Sequence, residues 1–331
     1  MTARELARLL GVSQSAVSRA FSPGASISPD LRERILNYAK EVDYHPNAIA
    51  SILSRRRSNI VGIVVAEMQN PFFPMLIEKL SRELQVIEMQ SLLFNLTPGS
   101  NIQEQLVALR QYHVDAVVII SATVLSGAAL AWATEGRAAV LINRHIPEID
   151  ITSVSCDNEA GARAIADHFY EAGRRRVAYV SGLQKTSTSL ERQNGFVTRA
   201  AELGMTLVGQ ASRNAYSYEA GYQCALELAG RERVEAIMFA NDILAVGGID
   251  ALRDEAGLRI PEDIAIAGFD DIPMASWPRY SLTTYRQPVD ELVRKTIKLL
   301  QNGTKSGRID PETHLIEGEL VIRGSTRNEA R

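Results

Sequence analysis

Cysteine is nearly absent: the 331 residues hold two, Cys156 and Cys224, far apart in the chain. Such a pair implies neither a disulfide framework nor a metal site, and a reduced, cytoplasmic compartment is the simple expectation. Histidine is scarce as well. His45, His113, His145, His168 and His314 are scattered without metal-ligand spacing, and each reads as an ordinary surface or turn residue. No metal and no cofactor are expected. No apolar run approaches the length of a membrane span. The first residues, MTARELARLL, interrupt their apolar positions with Arg4, Glu5 and Arg8, unlike a signal peptide. The sequence also lacks GxGxxG, a Walker loop, GxSxG and HExxH, so no enzyme is expected.

What is present is ample core material and an uneven charge. Hydrophobic residues make up 46% of the chain, enough for two or more domains. The net charge is −3, but residues 1–57 carry +4 and the remainder −7. A basic head on an acidic body is the asymmetry of a chain whose head alone meets a polyanion.

The head reads as three helices. Thr2-Ala3-Arg4-Glu5 has capping-box spacing, and Leu6, Leu9 and Leu10 follow directly. Gly11 breaks this helix, Ser13 caps a second from Gln14 to about Phe21, and Pro29 opens a third to about Asp43. Helix, glycine turn, helix and a third amphipathic helix make a helix-turn-helix arrangement, with Ala7, Val12, Val17 and Leu31 as its expected core. The second helix would then expose Gln14, Ser15, Ser18 and Arg19, side chains suited to adenine, guanine and phosphate. An ordinary three-helix surface bundle is the alternative on spacing alone. The next segment, Tyr44 to Arg57, starts with Pro46 beside Asn47, ends in three arginines, and is too short to be stable by itself, as a hinge would be.

The run ArgGluLeuAlaArgLeuLeuGlyValSer…AlaValSerArgAlaPhe, then TyrHisProAsnAlaIleAla…Leu, resembles the head of the lactose/galactose repressor family. The resemblance implies that the second helix reads the major groove and that hinge helices from two subunits pair in the minor groove. Matched position by position, Gln14, Ser15 and Arg19 are base readers, and Ser13, Ser18 and Tyr44 touch backbone or base edges. Asn47 and Ala50 line the hinge. Leu53 is an apolar wedge at the central base step, a known minor-groove device; a core leucine of the body is the other reading.

From Asn59 onward strands and helices alternate. Strands are expected at Ile60–Ala66, Ser91–Asn95, Asp115–Ser121 and Ala138–Asn143, then at Val177–Ser181, Thr206–Gln210, Ala236–Ala240 and Ile264–Gly268. Helices are expected at Phe73–Glu88, Ile102–Tyr112, Leu125–Glu135, Ser189–Leu203, Tyr218–Ala229 and Ile243–Ala256. Apolar strands between amphipathic helices mean parallel sheets covered on both faces, here two doubly wound lobes of about five strands each. Ligands bind such folds at the carboxyl ends of the strands, and polar residues recur there: Asn70, Asn143-Arg144, Asp157, Arg192, Asn241 and Asp270. Each has a plainer reading. Asn241-Asp242 caps a helix, Pro71 starts one, and Asp271-Ile272-Pro273 forms a turn.

AsnProPhePhe, IleAsnArg, CysAspAsn, GluArgGlnAsnGlyPhe, AlaAsnAspIleLeuAlaValGly and GlyPheAspAspIleProMetAlaSerTrp…LeuThrThr extend the same resemblance over nearly the whole chain. It implies an α/β body of the periplasmic-binding-protein type, with an effector between its lobes. The matching positions are Asn70, Phe72, Phe73, Asn143, Arg144, Asp157, Arg192, Tyr216, Asn241 and Asp270. The implied division is a head at 1–45, a hinge helix and linker at 46–57, and an effector-binding and dimerisation domain at 58–331. Within the last, one lobe covers about 58–158 and 286–315, the other about 159–285 and 316–331. The expected protein is a homodimeric regulator, a repressor, on pseudo-palindromic operator DNA, with a sugar or sugar derivative as effector and no membrane association. A sugar-binding receptor and a sugar-metabolising enzyme of similar fold are the alternatives. Three departures stand out. The lead-in before the first helix is short, Gln85–Gln90 lacks the glycine usual before the second strand, and the chain ends without the leucine heptads of a tetramer-forming tail.

Overall fold

The computed structural model describes residues 1–22, 24–45, 58–66, 68–96, 107, 109–120, 138–145, 150–184, 186–230, 233–306 and 309–327. The expected hinge helix 46–57, the helix 125–135 and much of the helix 102–112 lie outside the described residues. Residues 1–58 and 59–331 form separate compact units.

The first unit holds α1 (Ala3–Leu10), α2 (Gln14–Ala20) and α3 (Pro29–Glu41). The capping box forms: Glu5 N–H donates to Thr2 Oγ1 at 3.3 Å and Thr2 N–H to Glu5 Oε2 at 2.8 Å. Gly11 ends α1 at φ 65, a left-handed conformation that costs glycine nothing. Ser13 then caps α2 by accepting from Ala16 N–H at 3.1 Å. The core is Leu6, Ala7, Leu10, Ala16, Val17, Ala20, Ile35, Ala39 and Tyr44. Ala7 and Val17 sit where expected, whereas Val12 and Leu31 are only half-buried at its margin. Leu6 and Ile35, both fully buried, fill the centre instead.

The second unit begins with β1 (Ile60–Ala66), α4 (Phe72–Val86), β2 (Gln90–Leu96), β3 (Ala116–Ile120), β4 (Ala138–Ile142) and β5 (Thr152–Cys156). It continues with α5 (Asn158–Glu171), β6 (Arg176–Ser181), α6 (Ser187–Glu202), β7 (Thr206–Ser212), α7 (Tyr218–Ala229), β8 (Ala236–Phe239), α8 (Asp242–Asp250) and β9 (Ala265–Asp270). β10 (Thr283–Arg286), α9 (Val289–Ser306), β11 (Thr313–Ile316) and β12 (Glu319–Val321) complete it. Two sheets form, ordered β11-β5-β4-β3-β1-β2 and β12-β10-β9-β8-β6-β7. Every pairing is parallel except β10 with β12. Each sheet therefore has six strands rather than about five. The additions β11 and β12 are edge strands of four and three residues, partly exposed, and too short to carry a buried-strand pattern.

In each sheet the chain winds outward from an interior strand, β1 or β6, first to one side and then to the other. That creates a switch point between β1 and β3 and another between β6 and β8, where crevices open at the strands' carboxyl ends. The chain passes between lobes three times: from β5 into α5, from β10 into α9, and from β11 into β12. The crossings touch one another, since Asp157 N–H donates to Ile316 carbonyl at 2.9 Å and Gly318 N–H to the Tyr285 hydroxyl at 2.9 Å. The turn that lacks the usual glycine, at Gln85–Gln90, is made by Glu88 in the left-handed region at φ 59.

Helices α7 and α8 meet backbone to backbone. A Cβ at Gly221 would stand 2.0 Å from the Leu244 carbonyl oxygen, which a helix cannot withdraw. Gly221→Ala is expected to destabilise the body by the upper end of the about 1–3 kcal/mol typical of overpacking. A urea midpoint equal to that of the parent would refute the account.

Candidate functional site

In the head, α2 turns Ala16, Val17 and Ala20 inward and leaves Gln14, Ser15, Ser18 and Arg19 exposed. These four occupy one outward face of a short helix that is fixed from below. Ser13 spends its hydroxyl on the helix N-terminus and lies 2.9 Å from Ser15 Oγ. Tyr44 needs correction. Its side chain is 7% exposed and packs edge-on against Phe21 at 5.7 Å, so it closes the head's core rather than offering a surface contact. The ring's apolar area outweighs its single hydroxyl, whose pKa burial raises. Asn47, Ala50 and Leu53 lie outside the described residues.

In the body, the sequence-derived positions converge on one ion pair. Arg192 on α6 and Asp270 at the end of β9 are each 3% exposed and approach to 3.3 Å. The guanidinium also donates from Nε to Asn158 Oδ1 at 2.9 Å and from Nη1 to the Ala240 carbonyl at 2.7 Å. Its plane rests on the Phe269 ring, 3.8 Å from the centroid. Asp270 accepts from Gln287 Nε2 at 2.7 Å and is hydrogen-bonded by the Asn70 side chain. Burial nevertheless holds the Asp270 pKa above the ordinary carboxylate value, against the pull of Arg192.

The remaining candidates stand at strand and helix ends of the two lobes. Asn70 caps α4, its Oδ1 accepting from Phe72 N–H at 3.1 Å. Asn143 ends β4 at φ 63, and Arg144 beside it is buried. Asp157 caps α5 by accepting from Ala160 N–H at 2.9 Å, and Asn241 caps α8 by accepting from Leu244 N–H at 3.2 Å. Both are thus helix caps that also stand at strand ends. The Tyr216 ring lies flat on Gly182, where a Cβ would come within 2.0 Å of it. Phe72 and Phe73 are corrected: at 0% and 4% exposure they belong to the first lobe's apolar core, because they open an amphipathic helix on its inward face. Four buried polar atoms near these strand ends have no hydrogen-bond partner among the described residues: Asn143 Oδ1, Ser189 Oγ, Tyr216 Oη and Gln287 Oε1.

Sequence reasoning missed several members. Asn158 joins Arg192 to Glu191, donating from Nδ2 to Glu191 Oε2 at 2.8 Å; its place in the CysAspAsn motif was the available signal. His145 was read as an ordinary turn residue but stands 2.9 Å from Glu191. Gln287 had no sequence signal. Asp242, fully buried, accepts from Ile272 N–H at 2.8 Å and the Thr284 hydroxyl at 2.6 Å. Desolvation, then the nearby Asp270 charge, holds its pKa well above the usual range. No group of His, Cys, Asp and Glu suited to a metal occurs among the described residues. No helix among them is long and apolar enough to cross a membrane.

Residues 2–47 match the bacterial regulatory proteins of the lacI family, and residues 166–326 match a periplasmic binding protein-like domain. The chain belongs to the lacI family of bacterial regulatory proteins. It is 29% identical over 343 residues to the HTH-type transcriptional regulator CelR of Thermobifida fusca, covering 98% of each chain. Among solved structures it resembles a CelR–cellobiose complex, with a TM-score of 0.74 and 27% identity over 98% of this chain and 99% of that one. It shares its fold with the lac repressor dimer bound to operator, at a TM-score of 0.87, 21% identity and the same coverage. As a lacI-family member it is a helix-turn-helix transcription regulator and not an enzyme.

Asp242 supplies a stability test. Its native pKa is raised, so between the ordinary value of 3.8 and the native one the folded state binds more protons than the unfolded. Stability from this group therefore falls as pH rises through that window. Asp242→Asn should remove that downward component, read as the difference between parent and variant in urea denaturation from about pH 4 to about pH 7. Parallel profiles would refute it.

Proposed function

We propose that this lacI-family regulator is a cytoplasmic homodimeric repressor of a pseudo-palindromic operator, controlled by a sugar or sugar derivative bound between the lobes of its body. The observation that carries the effector reading is the buried Arg192–Asp270 pair with Asn70 of the other lobe on its carboxylate. A guanidinium and a carboxylate held side by side suit vicinal hydroxyls, which donate to one and accept from the other. Tyr216 adds an aromatic face for a sugar ring. CelR, which binds cellobiose in its solved complex, supports the same chemistry. The contacts proposed for the effector are Asn70, Asn143, Arg144, Asp157, Arg192, Tyr216, Asn241 and Asp270.

On DNA, Gln14, Ser15 and Arg19 read bases, while Ser13 and Ser18 touch the backbone. Asn47, Ala50 and the wedge Leu53 act in hinge helices that order on the operator. The domain division is that given above for 1–45, 46–57 and 58–331. Effector shifts the relative lobe orientation and, through the hinges, operator affinity; the coupling is reciprocal. A receptor or an enzyme of the same fold has no use for the exposed polar face of α2.

The test is a thermal-shift panel of free sugars, sugar phosphates, sugar acids and nucleobases. A true effector at 100 times its Kd stabilises the native state by about 2.7 kcal/mol. Arg192→Lys keeps the positive charge but loses the planar fork. It should lose that stabilisation and the effector's influence on operator binding, while operator affinity without effector stays near parental. Gln14→Ala should do the reverse, weakening operator binding by about 1–3 kcal/mol and sparing the thermal shift. A silent panel would refute the sugar assignment.

A further inference from the structure

The Asp270 carboxylate is carried on a backbone that its residue type does not favour. Asp270 has φ 121 and Asp271 φ 57. A non-glycine residue with positive φ is uncommon, and most of those that occur gather in the left-handed basin near about +57. Asp271 lies in that basin, which aspartate visits, whereas Asp270 lies well outside it. Such conformations cost energy, persist only where the surroundings over-determine them, and gather at functional sites.

Here the surroundings act through Asp271. Its Oδ2 accepts from Arg286 Nε at 2.7 Å and its Oδ1 from Arg323 Nη2 at 2.7 Å. Its N–H donates to Thr284 Oγ1 at 3.4 Å, and the next N–H, of Ile272, to Asp242 Oδ2 at 2.8 Å. Arg323 is itself fixed, donating from Nη1 to the Leu282 carbonyl and from its backbone N–H to Thr283 Oγ1, both at 2.8 Å. The side chains of Arg323 and Asp271 are 17% and 11% exposed, so salt screens the pair less than it would at the surface. Arg286 pairs with Asp270 in the β9–β10 register. The two strand ends therefore form two side-chain rungs, Arg286 to Asp271 and Gln287 to Asp270. One rung grips the neighbour of Asp270, and the other meets its carboxylate.

We propose that Asp271, gripped by Arg286 and Arg323, is a positioning residue of the effector site: it holds Asp270 in a strained backbone conformation that aims the Asp270 carboxylate at Arg192 and Gln287. Arg286 ends the strand before the second crossing, and Arg323 follows β12, beyond the third. The grip thus ties the Asp270 carboxylate to chain segments at two of the connections between lobes. That Asp270 meets an effector rests on the function proposed above. The test of the positioning uses no effector, so its failure leaves that function standing.

The test is crystallography of the full-length parent and three single variants, with urea denaturation of each. In the parent, residue 270 should show positive φ, with its carboxylate within about 4 Å of Arg192. Asp271→Ala removes the grip and leaves a side chain that disfavours positive φ. Residues 270 and 271 should then relax to negative φ, and the Asp270 carboxylate should leave Arg192. Asp271→Gly accepts positive φ at no steric cost. Its urea midpoint should lie above that of Asp271→Ala, yet Asp270 should again be displaced. Arg323→Met leaves Asp271 its carboxylate and should displace Asp270 even if Asp271→Ala does not fold. A merely structural ion pair would move the midpoints and leave the Asp270 carboxylate in place. The proposal is overturned if residue 270 of the parent has negative φ, or if Asp271→Gly is no more stable than Asp271→Ala. It is equally overturned if the Asp270 carboxylate stays on Arg192 in those of the three variants that fold.

Discussion

A guanidinium and a carboxylate buried to 3% exposure impose the central constraint on this molecule. Taking two such charges out of water costs several kcal/mol per ion, and their attraction offsets that only when every remaining donor and acceptor finds a partner. For Arg192 and Asp270 the partners come from separate stretches of chain: Asn70 before α4, Asn158 at the first crossing, the Ala240 carbonyl after β8, the Phe269 face, and Gln287 at the second crossing. The pair therefore draws both lobes and two crossings to one point. Displacing either lobe strips a partner from a buried charge, which makes the lobe arrangement sensitive to whatever enters beside the pair.

The topology makes that convergence possible. Two sheets with the same winding place residues that follow their strands close together, as His145 and Glu191 are, and three adjacent crossings join the lobes. Apolar packing also spans the division: Ile272, from the loop after β9, is 1% exposed and buried in the first lobe's core. Its N–H is held by Asp242, so the plug is anchored in one lobe and seated in the other. Hydrogen bonds around the ion pair set direction, while the plug resists wide separation.

The fold was legible because its strands are short continuous apolar runs and its helices amphipathic. Ile60–Ala66 and Tyr218–Ala229 have the expected limits in the structure. The helix Asn158–Glu171 was not foreseen: Gly161, Ala162 and Ala166 pack closely and give a weak hydrophobic stripe, although Asp157 is a good cap. Arg192, Asp270 and Asn70 could be named from the GluArgGlnAsnGlyPhe, GlyPheAspAsp and AsnProPhePhe motifs that carry them. Tyr44, Phe72 and Phe73 could not be placed the same way. An aromatic at a helix boundary serves core and surface equally well in sequence, and only packing decides. Gln287 and the His145–Glu191 contact were illegible because they join residues 17 and 46 positions apart, separations to which no helix or strand periodicity applies.

Four unpartnered buried atoms are spread over both lobes. Asn143 Oδ1 belongs to the first lobe, Ser189 Oγ and Tyr216 Oη to the second, and Gln287 Oε1 to a crossing. A buried polar group without a partner costs about 1–3 kcal/mol, so each is a place where a hydroxyl-bearing ligand gains more than it would in water. Because the atoms sit on both lobes and a crossing, a single rigid ligand that satisfied them together would do so at only one lobe separation. That is the differential affinity an effector must have if it is to shift a conformational equilibrium rather than merely bind. A site completed within a single lobe would bind as tightly and regulate nothing.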